Sequence, residues 1–388
     1  MRTTCCVASI VSIGEALPLT HLLRIFRGLT LKGVYSAFVA HETISSLTYK
    51  EKSLSQSAIL VAWGILIGSG LLRAESTAAT YSDGRGVYQG LREHRDTTLQ
   101  CGGGEIDIVF GQGAPGLDRV RVVEWIRTSA EAVSTYFGRF PVSRVGILVV
   151  ADDGDRISSG TTYGFGSSAI RIEVGRRTAD SSYKDDWILA HEMTHLALPD
   201  VPERNRWLLE GNATYVEPIA RAQAGQLDPQ EVWRWSLEGM PKGLPQAGDQ
   251  GLDNTPTWGR TYWGGALFWL LADVEIHQVT RNRLGVQDAL RAINEQSGGN
   301  IARWSIEHIL TVGDQATGTR VLTSLYAEMK AAPTNPDLGA LFERLGVRRL
   351  NNQVAFNDLA PLAEVRRQIT MPRALRSVPC GIADDQQS

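Results

Sequence analysis

Two histidines four residues apart with a glutamate after the first, His191-Glu192-Met193-Thr194-His195, are the side chains in this sequence best suited to chemistry. On a helix, positions i and i+4 share one face about a turn apart, so both imidazoles can reach a single Zn²⁺. Glu192 then stands beside the metal, where its carboxylate can serve a water instead of acting as a ligand. The flanks are apolar, Trp187-Ile188-Leu189-Ala190 before and Leu196-Ala197-Leu198 after. Two imidazoles and a carboxylate on so apolar a helix require a compensating partner such as a metal. Asp185 and Asp186 are both available to cap its start.

Pro199 ends that helix, Pro202 precedes another, and the new one carries Trp207-Leu208-Leu209-Glu210-Gly211-Asn212-Ala213-Thr214-Tyr215. Fourteen residues lie between His195 and Glu210, enough for a tight return that sets Glu210 over the two histidines. A set of two histidines and one glutamate leaves the fourth zinc position open for water, as catalytic sites do, whereas structural sites are closed by four protein ligands. The plainer reading of Glu210 is a solvated helix glutamate, but its neighbours Leu209 and Trp207 make an apolar setting.

These residues need a scaffold, and the chain is long enough to build one. Its 388 residues suggest two or three structural units, and 43% hydrophobic against 21% charged residues exclude global disorder. Lys plus Arg number 39 against 42 Asp plus Glu, a balance with no electrostatic footprint for nucleic acid or an anionic membrane surface. Residues 105–110 and 169–174 alternate like half-buried strands, 144–150 is a continuous apolar strand, and 117–137 has helical spacing. Beyond about residue 184 strand signals nearly vanish, and helical periodicity covers 184–198, 203–217, 262–279, 285–296, 302–311 and 316–331. The pattern predicts an α+β chain: a small mixed β-sheet lobe over 75–183, then a mainly α-helical lobe over 184–370, with the chemistry between them and a tail at 371–388.

Residues 1–74 read as a leader. From Leu54 to Leu72 there is no charge; Lys50 and Lys52 precede the run, Arg73 follows, and Ala74, Ala78 and Ala79 offer cleavage sites. This is an export signal, or, uncleaved, a membrane anchor through residues 54–72, since the run approaches the ~20 residues that span a bilayer. Either way the protein is exported, periplasmic or secreted, or held at a membrane. About fifty residues ahead of a signal are unusual, and translation from Leu47 would remove them. Cys5 and Cys6 belong to the leader, leaving Cys101 and Cys380 as one long-range disulfide or two free thiols.

His191-Glu-Met-Thr-His195 followed by Trp207-Leu-Leu-Glu210-Gly211 resembles the gluzincin zinc metallopeptidases of thermolysin-like fold. Within them it resembles the peptidase MA-like group, and more distantly the aminopeptidase N and glycyl aminopeptidase families. The resemblance implies one Zn²⁺ held by His191, His195 and Glu210, with Glu192 as general base acting on a peptide or protein substrate. Tyr262-Trp-Gly-Gly265-Ala is similar to the Tyr-x-x-Gly-Ala segment of these families, whose tyrosine stabilises the oxyanion; a core tyrosine at a helix start is the other reading of Tyr262. Where the aminopeptidases carry a Gly-x-Met-Glu-Asn segment, this chain has Gly160-Thr-Thr-Tyr-Gly-Phe-Gly166 with no acid, leaving endo- and exopeptidase action both open. Gly160, Tyr163 and Gly164 are candidates to bind peptide by strand addition, or form a glycine-rich turn. His277 and His308 read as packed or surface residues, and Asp152, Asp153 and Asp155 as an acidic turn. The alternative to a peptidase is a non-catalytic peptide-binding module that retains the fold.

Overall fold

A computed structural model describes residues 3–5, 81–351, 353–373 and 380–383. The expected export segment at 54–72, the rest of the leader apart from residues 3–5, and the start at Leu47 lie outside the described residues. Among the described residues no helix is long and apolar enough to cross a membrane.

The first half supplies strand β1 (Thr3–Cys5), helix α1 (Gly84–Glu93), β2 (Thr97–Cys101), β3 (Gly104–Phe110), α2 (Arg119–Phe137), β4 (Arg144–Asp152), β5 (Ile157–Gly164) and β6 (Ser168–Gly175). The second half supplies α3 (Asp180–Asp185), α4 (Ile188–Thr194), α5 (Arg206–Gln223), α6 (Pro229–Gly239) and a π-type turn (Gly259–Gly264) that runs into α7 (Gly265–Thr280). Then come α8 (Val286–Ser297), α9 (Ile306–Thr317), α10 (Val321–Met329), α11 (Leu338–Leu345), the hairpin β7 (Val347–Leu350) and β8 (Gln353–Phe356), α12 (Ala363–Thr370) and β9 (Cys380–Ile382). The chain is therefore α+β, a mixed sheet followed by a helical region.

Seven strands form one sheet in the order β1-β5-β6-β4-β3-β2-β9. The centre is parallel, β3 with β4 and β4 with β6, while β5 and β2 join it antiparallel. A parallel β3–β4 pair needs a crossover, and α2 provides it. Helices cover both faces of β4: Ile147 and Val149 share the main core with α2, whereas Leu148 and Val150 pack with Val87 of α1. Burial on both faces is why β4 reads as a continuous apolar run instead of an alternating one. β5 lacks that signal, because Ile157-Ser-Ser-Gly-Thr-Thr-Tyr-Gly164 is polar and small.

Two expected helices are divided. The run 184–198 breaks between α3 and α4 because Asp186 is extended and its carboxylate accepts from the N–H groups of Ile188 and Leu189 at 3.2 and 3.1 Å. The run 316–331 is interrupted by Gly318, whose left-handed backbone ends α9, so that α10 begins at Val321. Near the end of the chain, β9 pairs with β2 from Leu99 to Cys101, and a disulfide joins Cys101 to Cys380.

That bridge closes a loop with a sequence separation of 279. Replacing both cysteines by serine is expected to cost about 2–5 kcal/mol of stability. Thermal unfolding should show a lowered midpoint for the variant, and reductant should lower the wild-type midpoint but not the variant's.

Candidate functional site

Helix α4 is short, and all seven of its residues are buried. It packs against α2, α5 and β5. Its start is fixed from below: besides capping the helix, Asp186 accepts from Trp125 Nε1 of α2 at 3.2 Å. Burial pushes the Asp186 carboxyl up to about 6, against four hydrogen-bonding and charge contacts that favour its ionised form. One of these is the field of Arg221, which pairs with buried Glu217 at 3.0 Å and donates to the Lys184 carbonyl at 3.0 Å. Glu217 is likewise pushed up by burial, to about 7.

Helix α5 brings Glu210 to the histidines, and its start is pinned by Asp253. One oxygen of Asp253 accepts from Trp207 Nε1 at 2.8 Å and Asn205 Nδ2 at 2.9 Å; the other accepts from the Tyr326 hydroxyl at 2.8 Å. Further along, α5 crosses α7 backbone against backbone. A Cβ at Gly211 would stand 2.3 Å from the Cα of Gly265, and a Cβ at Gly265 would stand 2.1 Å from the Trp207 carbonyl oxygen. Only glycines permit this approach, which accounts physically for Gly211 directly after Glu210 and for Gly265 three residues after Tyr262.

The result is a convergence of three ligand-type atoms. His191 Nε2 lies 3.6 Å and His195 Nε2 3.4 Å from the same Glu210 oxygen, Oε2. All three residues are buried, and none of these three atoms has a hydrogen-bond partner among the described residues. Donor atoms around a tetrahedral zinc, at about 2.0–2.2 Å from it, stand roughly 3.3–3.6 Å from one another. The spacing, the donor types and the orphaned atoms therefore fit a divalent metal such as zinc, and His191, His195 and Glu210 form a buried cluster of metal-ligand type. Burial holds the His191 imidazole toward its neutral, ligating form. Burial also works to raise Glu210, but the charge of His195 and the close approach of both imidazoles outweigh it, leaving this carboxylate well below its usual range. Its second oxygen lies 3.5 Å from Arg206 Nε.

Glu192 is fully buried beside this cluster. Its Oε2 accepts from the Thr162 hydroxyl of β5 at 2.7 Å, while Oε1 has no hydrogen-bond partner among the described residues. Burial pushes its carboxyl up to about 7. Tyr262, on the π-type turn, stacks on His191 with ring centroids 6.4 Å apart, and the exposed Trp258 stacks on Tyr262 in turn at 6.0 Å.

The three residues of the glycine-rich segment lie on β5. A Cβ at Gly160 would stand 2.5 Å from Glu192 Cγ, and one at Gly164 would stand 2.5 Å from the Asn300 carbonyl oxygen. Tyr163 is buried, and its carbonyl accepts from Asn300 Nδ2 at 3.1 Å. β1 lies antiparallel along Gly160–Thr162, so this edge already accommodates an extended segment. Next to His195 is a cavity of about 230 Å³ lined by Thr162, Leu198 and Leu209, with Phe165 and Ile301 half exposed at its rim. His277 is buried against Asp273 and His308 is exposed beside Trp304.

Sequence reasoning missed Thr162, Arg206, Asp253 and Asn300. Thr162 had a faint signal, a pair of threonines inside a glycine-rich run. Asp253 had none, because it lies 46 residues beyond the tryptophan it holds.

No family model matches the chain, and no curated protein matches it. Among solved structures it is similar to an M1 zinc metallopeptidase from Deinococcus radiodurans, at 16% identity over 63% of this chain and 53% of that one, with a TM-score of 0.41. It is also similar to an aminopeptidase N family protein from Idiomarina loihiensis, at 14% identity over 65% of this chain and 49% of that one, with a TM-score of 0.49. The chain thus spans about half the length of these structures.

Two outcomes follow from the geometry. Gly211→Val should force α5 and α7 apart, costing about 1–3 kcal/mol by overpacking and displacing Glu210; denaturant unfolding should fall to a lower midpoint and zinc retained after dialysis should drop together. Glu217 holds its proton up to about 7 when folded, against an ordinary 4.5. Between those values the folded chain is protonated and the unfolded chain is not, so this contribution is present below pH 4.5 and is lost as pH rises through 7. Glu217→Gln should flatten the fall in unfolding midpoint between pH 5 and pH 8; an unchanged slope would refute this assignment.

Proposed function

We propose that the chain is a zinc-dependent peptidase of the thermolysin-like gluzincin type, with His191, His195 and Glu210 as the residues that would hold the ion. The observation that carries this reading is the set of three orphaned ligand atoms, each nitrogen 3.4–3.6 Å from one carboxylate oxygen in a buried pocket. Bound there, zinc would supply Lewis-acid polarisation of a carbonyl and lower the pKa of a water toward ~7.

The chain's own residues do the rest. Glu192 has the place and proton affinity of a general base, with Oε1 available to take a proton from the attacking water while Thr162 fixes Oε2. A carboxyl at about 7 can also return that proton to the leaving amine near neutral pH. Tyr262, beside His191, offers a phenol that strengthens its hydrogen bond as charge develops on the carbonyl oxygen. The substrate is a peptide or protein, and a path for it along Gly160, Tyr163 and Gly164 of β5 would require it to take the place of β1, which pairs with Gly160–Thr162. The cavity beside His195, lined by Phe165, Leu198 and Ile301 together with Asp200, Asn300 and Arg303, would take a substrate side chain with both apolar and polar surface. Export from the reducing cytoplasm belongs to the same proposal and is supported by the Cys101–Cys380 bridge.

Zinc content together with chelator-sensitive cleavage of a mixed peptide library tests the reading. Glu192→Gln is expected to retain zinc at the wild-type ratio and to lose about 10²–10⁴-fold in kcat/KM. Cleavage that persists in this variant, or a protein that takes up no zinc, would overturn the proposal.

A further inference from the structure

A second polar cavity of about 140 Å³ lies among α2, α5, α7, the start of α8 and the end of α12, and shares no lining residue with the candidate metal centre. Four side-chain atoms of its lining residues have no hydrogen-bond partner among the described residues: Tyr136 Oη, His277 Nδ1, Asn282 Oδ1 and Gln287 Oε1. Tyr136, Gln287 and His277 are 1%, 6% and 8% exposed, so bulk water does not supply the missing partners freely.

The surrounding wall is fixed. Gln287 Nε2 donates to the Tyr136 carbonyl at 2.6 Å and to Gln223 Oε1 at 2.9 Å, which commits the other end of the carboxamide, Oε1, to act as an acceptor. Asp273 accepts from the Tyr215 hydroxyl and from the N–H of Val286, each at 2.7 Å, tying α7 to α5 and α8. Asn282 is reached through two consecutive non-glycine residues in the left-handed region, Arg281 and Asn282, at φ 55° and 59°. Such backbone is costly and persists where the surroundings demand it.

The lining charges balance, with Asp273 and Asp288 against Arg283 and Arg373. A bare cation would face two guanidinium groups and a bare anion two carboxylates, so neither matches. Two of the orphaned atoms, Asn282 Oδ1 and Gln287 Oε1, are acceptors, His277 Nδ1 joins them in the neutral ring, and Tyr136 is a donor. This combination calls for a ligand that carries both N–H donors and an anionic acceptor. A cavity of this size, about five times the ~30 Å³ share of one liquid water, takes a molecule of roughly five to seven heavy atoms.

We propose that this cavity binds a small free amino acid, its ammonium paired with the lining carboxylates and acceptor atoms, its carboxylate with Arg283 and Arg373, and the Tyr136 hydroxyl bonded to the ligand. Calorimetric titration of the full chain with glycine, alanine and serine tests it, with glycinamide and N-acetylglycine as controls lacking one charge each. Saturable binding with one molecule per chain is expected for at least one amino acid, and roughly tenfold weaker binding for both controls. Tyr136→Phe removes a hydroxyl that has no protein partner, so the free protein should melt no lower than wild type while affinity falls roughly fivefold, the loss of one hydrogen bond. Asn282→Gly suits the left-handed backbone and should weaken binding similarly. Amino acids are also products of peptide hydrolysis; binding that survives both substitutions would place them elsewhere, the metal centre included, and overturn the proposal. Absence of saturable heat up to the solubility limit would overturn it equally, leaving a cavity filled by water.

Discussion

Glu210 faces the histidine pair because α5 and α7 touch at their backbones, and that contact depends on two hydrogen side chains, at Gly211 and Gly265. A methyl group at either position would meet backbone atoms of the other helix at distances no structure tolerates, and backbone cannot swing aside as a side-chain tip can. The crossing therefore has a single solution. It sets Glu210 on the face of α5 that looks at α4, and in the same stroke it sets the π-type turn ahead of α7 so that Tyr262 lies against His191. One packing constraint thus positions the candidate ligand Glu210 and the phenol proposed as oxyanion donor, Tyr262, which are separated by more than fifty residues of chain. It also locates the site's rigidity in the helical region, with β5 contributing from the sheet side through Thr162.

Such a site strains the stability of its host. Five ionisable groups, His191, Glu192, His195, Glu210 and Glu217, are buried within two or three helical turns of one another, and Asp186 beside them is partly buried. Buried charge is tolerated when it is paired or held by hydrogen bonds. Asp186 and Glu217 are treated in that way, through Trp125, the first turn of α4 and Arg221. The two imidazole nitrogens and one oxygen each of Glu192 and Glu210 are not. Polar groups left open at the centre while those around them are satisfied mark a place built to receive something. The surrounding network keeps the open atoms from collapsing onto one another.

Much of this was legible in the sequence, and the limits have physical causes. The candidate metal helix was legible because i and i+4 histidines share a face, and the burial of Glu210 because a glutamate between leucine and glycine after a tryptophan has no reason to face solvent. β4 was legible because burial on both faces writes a continuous apolar run. β5 was not, since its Gly160 and Gly164 are small to admit Glu192 and Asn300, and small residues erase the alternation by which a strand is recognised. The break at Asp186 was half legible: the acid was visible as a cap, but its power to divide a continuous helical pattern depends on Trp125, which reaches it from another helix. Asp253 and Asn300 act across long sequence separations, and nothing local in the chain distinguishes them from ordinary loop residues.

The two glutamates of the candidate centre show how position alone gives one residue type two different proton affinities. Glu192 and Glu210 are both buried and both border the same histidines, yet their proton affinities move in opposite directions. Glu192 has one hydroxyl donor, Thr162, and otherwise low-dielectric surroundings, so burial dominates and the carboxyl rises to about 7. Glu210 faces two imidazoles and the Arg206 guanidinium, so attraction overcomes the same burial and the group stays ionised. An ionised carboxylate is what a divalent cation requires as a ligand, while a carboxyl poised near neutrality is what a proton carrier requires. Under the proposed function this separation would suit Glu210 to hold the ion and Glu192 to carry the proton. Exchanging the two environments, with Thr162 facing Glu210 and Arg206 facing Glu192, would leave the same residues in the same pocket with neither proposed function served.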